Sequence, residues 1–146
     1  MIVEDDWLLA SDLQDQLTEL NHHVITVVPS GEQVIDKVQS SMPDIVIMDV
    51  SLAGRMKGTE AAAILWEQFH IPIVFLTARF YQATLSEAQS SMPNAFLTKP
   101  HSAAQLHSAV QLALSRRARE GASVGPSKRP PDRILRLSCP LARQEL

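Results

Sequence analysis

The sequence predicts an α/β fold built on a doubly wound sheet of five parallel strands with five helices, and three observations lead there. Five short apolar, β-branched runs are spread along the first two thirds of the chain. Segments of helical periodicity separate and follow them. The two kinds of segment alternate strictly, which is the pattern of parallel strands joined by helical crossovers.

The runs are Ile2-Val3, then residues 24–28, 45–48, 73–76 and 95–97. Each has the length and composition of a strand buried on both faces. The first helical pattern keeps Leu9, Leu13, Leu17 and Leu20 on one face. Val34, Ile35 and Val38 mark the second, and residues 61–69, 84–88 and 106–114 supply three more. Ser30 with Gln33 and Ser102 with Gln105 have capping-box spacing and mark two helix starts. Trp7 and Trp66 fall in helical stretches and are expected to serve in packing.

At 146 residues and 45% hydrophobic content the chain fits one domain with one core. The expected division is a folded domain over 1–117 and a flexible tail over 118–146, where Gly121, Gly125, Pro126, Pro130, Pro131 and Pro140 lie among scattered charges. Residues 1–115 hold five basic and thirteen acidic side chains, whereas 116–146 hold eight basic and three acidic. So acidic a body argues against a nucleic-acid surface. No window approaches a membrane span of roughly 20 apolar residues, and the start, MIVEDDW, is acidic where a secretory signal is basic. A soluble, cytoplasmic protein is expected. The single cysteine, Cys139, excludes an internal disulfide framework and clustered-cysteine zinc sites.

The regularity that bears on function is polar. Glu4, Asp5 and Asp6 follow the first strand, Asp49 the third, Thr77 the fourth and Lys99 the fifth. In an open doubly wound sheet the ligand crevice lies beyond the carboxyl ends of the strands, and for the order 2-1-3-4-5 it opens between strands one and three. Carboxylates gathered there repel one another, which a raised pKa or a bound cation relieves, and a hard divalent cation is the expected answer. Magnesium suits such a site, because it takes oxygen ligands and is completed by water and substrate phosphate. Asp49 then has the surroundings of a carboxylate nucleophile toward phosphorus, with a lysine and a hydroxyl at hand for the phosphoryl oxygens. The residues alone therefore reach phosphoryl transfer.

The segments IVEDD, IVIMDVSLAG, GTEAAA, IPIVFLTA and AFLTKP resemble a response-regulator receiver domain, over residues 1 to about 115. The resemblance implies a flavodoxin-like fold and phosphorylation of Asp49 by a histidine kinase or phosphotransfer protein. It implies that Asp5, Asp49 and the backbone carbonyl of Ser51 bind Mg²⁺, with Glu4 acting through water and Asp6 an extra neighbour. It implies that Lys99 contacts the phosphoryl group, that the Thr77 hydroxyl moves toward it, and that Phe96 is the switch aromatic that turns inward. The Lys99-Pro100 bond is a cis candidate on the same ground.

The expected output is a downstream protein target, because the proline-broken tail gives no folded DNA-binding module. A homodimer is a further partner, although the fourth and fifth predicted helices carry few charges for a salt-bridged one. The only enzymatic activity expected is Mg²⁺-dependent phosphorylation and dephosphorylation of the chain itself. Two other readings meet the same residues. A receiver-like interaction module that is never phosphorylated would not need every phosphorylation-site group. An aspartate-nucleophile phosphatase of the haloacid-dehalogenase type needs a second aspartate as general acid, and Ser51 stands there. His22, His23, His70, His101 and His107 lack zinc-like spacing and are expected at exposed helix ends or loops. Gly54 and Gly58 flank a loop without forming a nucleotide-binding motif.

Overall fold

The structure, a computed structural model, describes residues 1–78 and 95–123, with side chains through 119. Strands β1 (Ile2–Val3), β2 (Val27–Val28), β3 (Val46–Asp49), β4 (Ile73–Thr77) and β5 (Ala95–Thr98) form one sheet in the order β2-β1-β3-β4-β5. All four pairings are parallel. Helices α1 (Trp7–Glu19), α2 (Gly31–Ser41), α3 (Gly58–Phe69) and α4 (Ala103–Ser123) are the four among the described residues. The expected helix at 84–88 lies outside them.

Alternation along the strands divides the core in two. Val3, Val46, Met48, Ile73 and Phe75 point to one face, where Val34 and Val38 of α2 and Ala61, Ala62 and Leu65 of α3 cover them. Ile2, Ile47, Val74 and Leu76 point to the other, against Leu13 and Leu17 of α1 and Leu106, Val110 and Ala113 of α4. Two apolar faces explain why the strands read as continuous runs rather than alternating ones. They also leave every strand's carboxyl end open along one edge of the layers.

Local chemistry sets the boundaries. Asp6 caps α1, accepting hydrogen bonds from the amides of Leu8 at 2.9 Å and Leu9 at 3.2 Å. Ser102 and Gln105 form a reciprocal box at the start of α4, with bonds of 2.9 and 3.3 Å. Ser30 makes the forward half for α2, accepting from the Gln33 amide at 3.3 Å.

Three expectations change. The second strand is Val27–Val28 rather than 24–28, because β1 offers it only Ile2 and Val3 as partners. On α1 the buried face is Ala10, Leu13 and Leu17, while Leu9 is exposed and Leu20 becomes the C-cap. The last helix runs to Ser123, so 118–123 are helical despite Gly121. Arg117 anchors this helix by donating to the Asp44 carbonyl at 2.8 Å. The rest of the expected tail, 124–146, lies outside the described residues.

Candidate functional site

The loops that leave the carboxyl ends of β1, β3 and β5 bring four charged groups together. Glu4 follows β1, Asp49 closes β3 and Lys99 follows β5. The Lys99 ammonium donates to Glu4 Oε2 at 2.6 Å and to Asp49 Oδ2 at 2.7 Å. Glu4 and Asp49 are buried, at 3% and 8% exposure, and such burial of like charges is tolerable only because the ammonium lies between them. Asp5 is exposed at the rim, yet one carboxylate oxygen from each of Glu4, Asp5 and Asp49 lies within 4.8 Å of the others.

Protonation follows from this geometry. Burial pushes the Glu4 carboxyl above its ordinary value; the Lys99 hydrogen bond opposes this, and the Asp49 charge adds to it. Burial works to lower the Lys99 pKa, but the hydrogen bonds to Asp49 and Glu4 outweigh it and hold the ammonium above its ordinary value. Lys99 is therefore a fixed cation here.

Backbone groups complete the site. The Ser51 amide donates to Asp49 Oδ1 at 2.9 Å, so each Asp49 oxygen is oriented by one donor. The Ala53 amide donates to Asp5 Oδ2 at 3.3 Å, tying the loop after β3 to the rim. Thr77 ends β4 in register with Thr98 and is buried, and its carbonyl accepts the Lys99 amide at 2.8 Å. The Lys99-Pro100 bond is cis, as the resemblance implied. Phe96 is half-buried in β5 and stacks on Phe75, with ring centroids 5.5 Å apart.

A divalent cation fits the donor set. Three carboxylates converge, all hard oxygen ligands, and Asp5 stands open to solvent, as a site that keeps several waters requires. Glu4 and Asp5, together with Asp49, are the residues that would hold Mg²⁺.

Sequence reasoning missed or misjudged several residues. Glu32, in the first turn of α2, accepts hydrogen bonds from the amides of Arg55 at 3.0 Å and Met56 at 3.1 Å, and nothing local in the sequence signals a contact across 23 positions. Gly58 begins α3 against the Asp49 backbone, where any Cβ would overlap the Asp49 carbonyl oxygen. The helix start at GTEAAA was the available signal. Trp7, expected in packing, is 79% exposed beside Leu8 at 60%. His22 and His101, expected to be exposed, are half-buried, and the His22 ring lies 6.3 Å from that of His107.

Fold and site together define a parallel α/β protein that gathers carboxylates, a hydroxyl and a lysine at one end of its sheet. The family model described as response regulator receiver domain matches residues 1–111. The transcriptional regulatory protein PdtaR of Mycobacterium tuberculosis is 33% identical over 116 residues, which cover 80% of this chain and 56% of PdtaR. The phyllosphere-induced regulator PhyR of Methylorubrum extorquens is 29% identical over 78% of this chain and 42% of its own. The chain thus spans about half the length of these curated relatives.

Among solved structures, the signal receiver domain of a modulated diguanylate cyclase from Desulfovibrio desulfuricans G20 superposes with a TM-score of 0.77 at 34% identity, covering 82% of this chain and 94% of that one. The receiver domain of sensor histidine kinase PA1611 from Pseudomonas aeruginosa PAO1, with a magnesium ion coordinated in its active-site cleft, gives 0.70 at 26% identity over 78% of this chain and 94% of that one. The chain belongs to the response regulator receiver family, with the flavodoxin-like fold and the role in phosphorelay signalling that define it. No helix among the described residues is long and apolar enough to cross a membrane.

Proposed function

We propose that Asp49 accepts a phosphoryl group from a phosphohistidine on a partner kinase or phosphotransfer protein. The observation that carries this is the Lys99 bridge, which holds the Asp49 carboxylate oriented and facing an open acidic rim. An Asp49 oxygen forms a bond to phosphorus as the bond from phosphorus to the donor nitrogen breaks, and the departing imidazole takes up a proton. Mg²⁺ bound by Asp5, Asp49 and the Ser51 carbonyl, with Glu4 acting through water, would supply charge neutralisation between nucleophile and phosphate. Lys99 then binds a phosphoryl oxygen in place of Asp49 Oδ2, and the Thr77 hydroxyl approaches another.

That redistribution of charge is the switch. Movement of Thr77 lets Phe96 turn inward and alters the surface around β5, which a downstream protein reads. Water later removes the phosphoryl group, so the only chemistry catalysed is on the chain itself. Trp7 and Leu8 supply an apolar contact for the phosphodonor protein, since α1 begins at the same end of the sheet as Asp49 and a donor must cover that mouth. Both relatives are named as regulators, which agrees with a signalling output.

Intact mass after incubation with acetyl phosphate tests the reading. One phosphate is expected on wild type with Mg²⁺, and none without Mg²⁺ or on Asp49→Ala. A folded wild type that takes up no phosphate would favour an interaction module that works unphosphorylated.

A further inference from the structure

The loop between Asp49 and Gly58 packs Leu52 and Met56 against the core and is tied by polar contacts at both ends. At its near end the Ser51 amide is bound to Asp49 and the Ala53 amide to Asp5. At its far end Glu32, from α2, takes the amides of both Arg55 and Met56 on one oxygen. Gly54 lies between these attachments with φ of 135°, a conformation that L side chains rarely adopt, and a Cβ there would come 3.2 Å from Glu32 Oε2. The backbone at Gly54 is thus shaped to pass against the Glu32 carboxylate. Glu32 also stands in the first turn of α2, where the helix dipole favours a negative charge, and hydrogen bonds from its own amide and from Arg55 and Met56 hold its carboxyl below the ordinary value.

We infer that Glu32 is a positioning residue, which holds the loop over 51–57 closed against the acidic cluster and thereby sets the cation affinity of the site. The functional consequence rests on the reading above, in which Asp5 and the Ser51 carbonyl bind Mg²⁺. Each of those groups is on the loop or bonded to it. A loop released at Arg55 and Met56 pivots on Gly54, and the Ala53 and Ser51 amides then lose their fixed approach to Asp5 and Asp49. Outer partners that orient metal ligands commonly govern affinity in this way.

Three proteins decide it: wild type, Glu32→Ala and Glu32→Gln. Glutamine keeps the accepting oxygen and loses the charge, so it separates pinning from simple attraction of a cation. In Glu32→Ala, amide hydrogen exchange is expected to quicken at Ser51 and Ala53, which Glu32 does not touch, as well as at Arg55 and Met56. Its Mg²⁺ dissociation constant by calorimetry should rise about tenfold, the lower end of what losing an outer partner costs a metal site. Glu32→Gln should restore both, and the far-ultraviolet circular dichroism of both variants should match wild type, which shows that the fold is retained.

Quickened exchange confined to Arg55 and Met56, with wild-type Mg²⁺ affinity, overturns the inference. So does an equal loss of affinity in both variants, which would make the effect one of charge alone. A wild type that binds no Mg²⁺ contradicts the phosphoacceptor reading, and exchange at Ser51 and Ala53 then decides the role of Glu32 by itself.

Discussion

Gly58 and Lys99 show how single residues hold the site. Because Gly58 meets the carbonyl oxygen and carbon of Asp49, no flexible side chain can yield to a methyl group there. Gly58→Ala is expected to lose about 1–3 kcal/mol, the usual cost of overpacking, measured by urea denaturation. An unchanged midpoint would contradict the contact. Lys99 acts through charge and has a pH signature. Its folded-state pKa is raised above 10.5, so its contribution to stability is fully present below 10.5 and is lost as pH rises through the folded value. The stability advantage of wild type over Lys99→Met should therefore hold up to that pH and fade above it. An advantage that fades near neutrality would contradict the bridge to Glu4 and Asp49. Both roles were half legible in the sequence. Lys99 followed a strand end and could be placed, whereas the closeness of Gly58 to Asp49 depends on how α3 docks.

At the scale of elements, strands were easier to read than helix faces. Residues buried on both sides of a sheet must be apolar at every position, so the runs stand out. An amphipathic helix can be rotated by one residue without changing its leucine count, and Ala10 gave no warning that it replaces Leu9 in the buried face of α1. Leu13→Ala, at 3% exposure, should cost about 2–5 kcal/mol by urea denaturation. Leu9→Ala, at 44% exposure, should change stability by less than about 0.5 kcal/mol. Equal losses would restore the leucine face that the periodicity suggested. The second strand was overestimated for a related reason. Residues 24–26 have β-branched chemistry, but strand length is decided by the neighbour, and β1 contributes two residues. The last helix was expected over 106–114 with a flexible tail from 118, because glycine and nearby prolines read as a break, while the Arg117 anchor on Asp44 joins positions 73 residues apart.

For the molecule as a whole, the convergence of Glu4, Asp5, Asp49, Thr77 and Lys99 followed from placing polar residues at strand ends of a sheet in the order 2-1-3-4-5. What the sequence left hidden was the Glu32 clamp, a contact across the chain, and the exposure of Trp7. The latter bears on the partner. Trp7→Ala should slow transfer from a phosphohistidine protein about tenfold or more, the scale on which an aromatic hot spot acts, and leave labelling by acetyl phosphate unchanged. Equal slowing with both donors would remove Trp7 from the docking surface. The central claim is that Asp49 carries the phosphoryl group, and its most direct measurement is to locate the acyl phosphate. The phosphorylated protein is reduced with borohydride, which converts an aspartyl phosphate to homoserine, and its peptides are sequenced by mass spectrometry. Homoserine at position 49 and nowhere else is the expected result. Homoserine at Asp5 or Asp6, or phosphate retained on a histidine, would contradict the account.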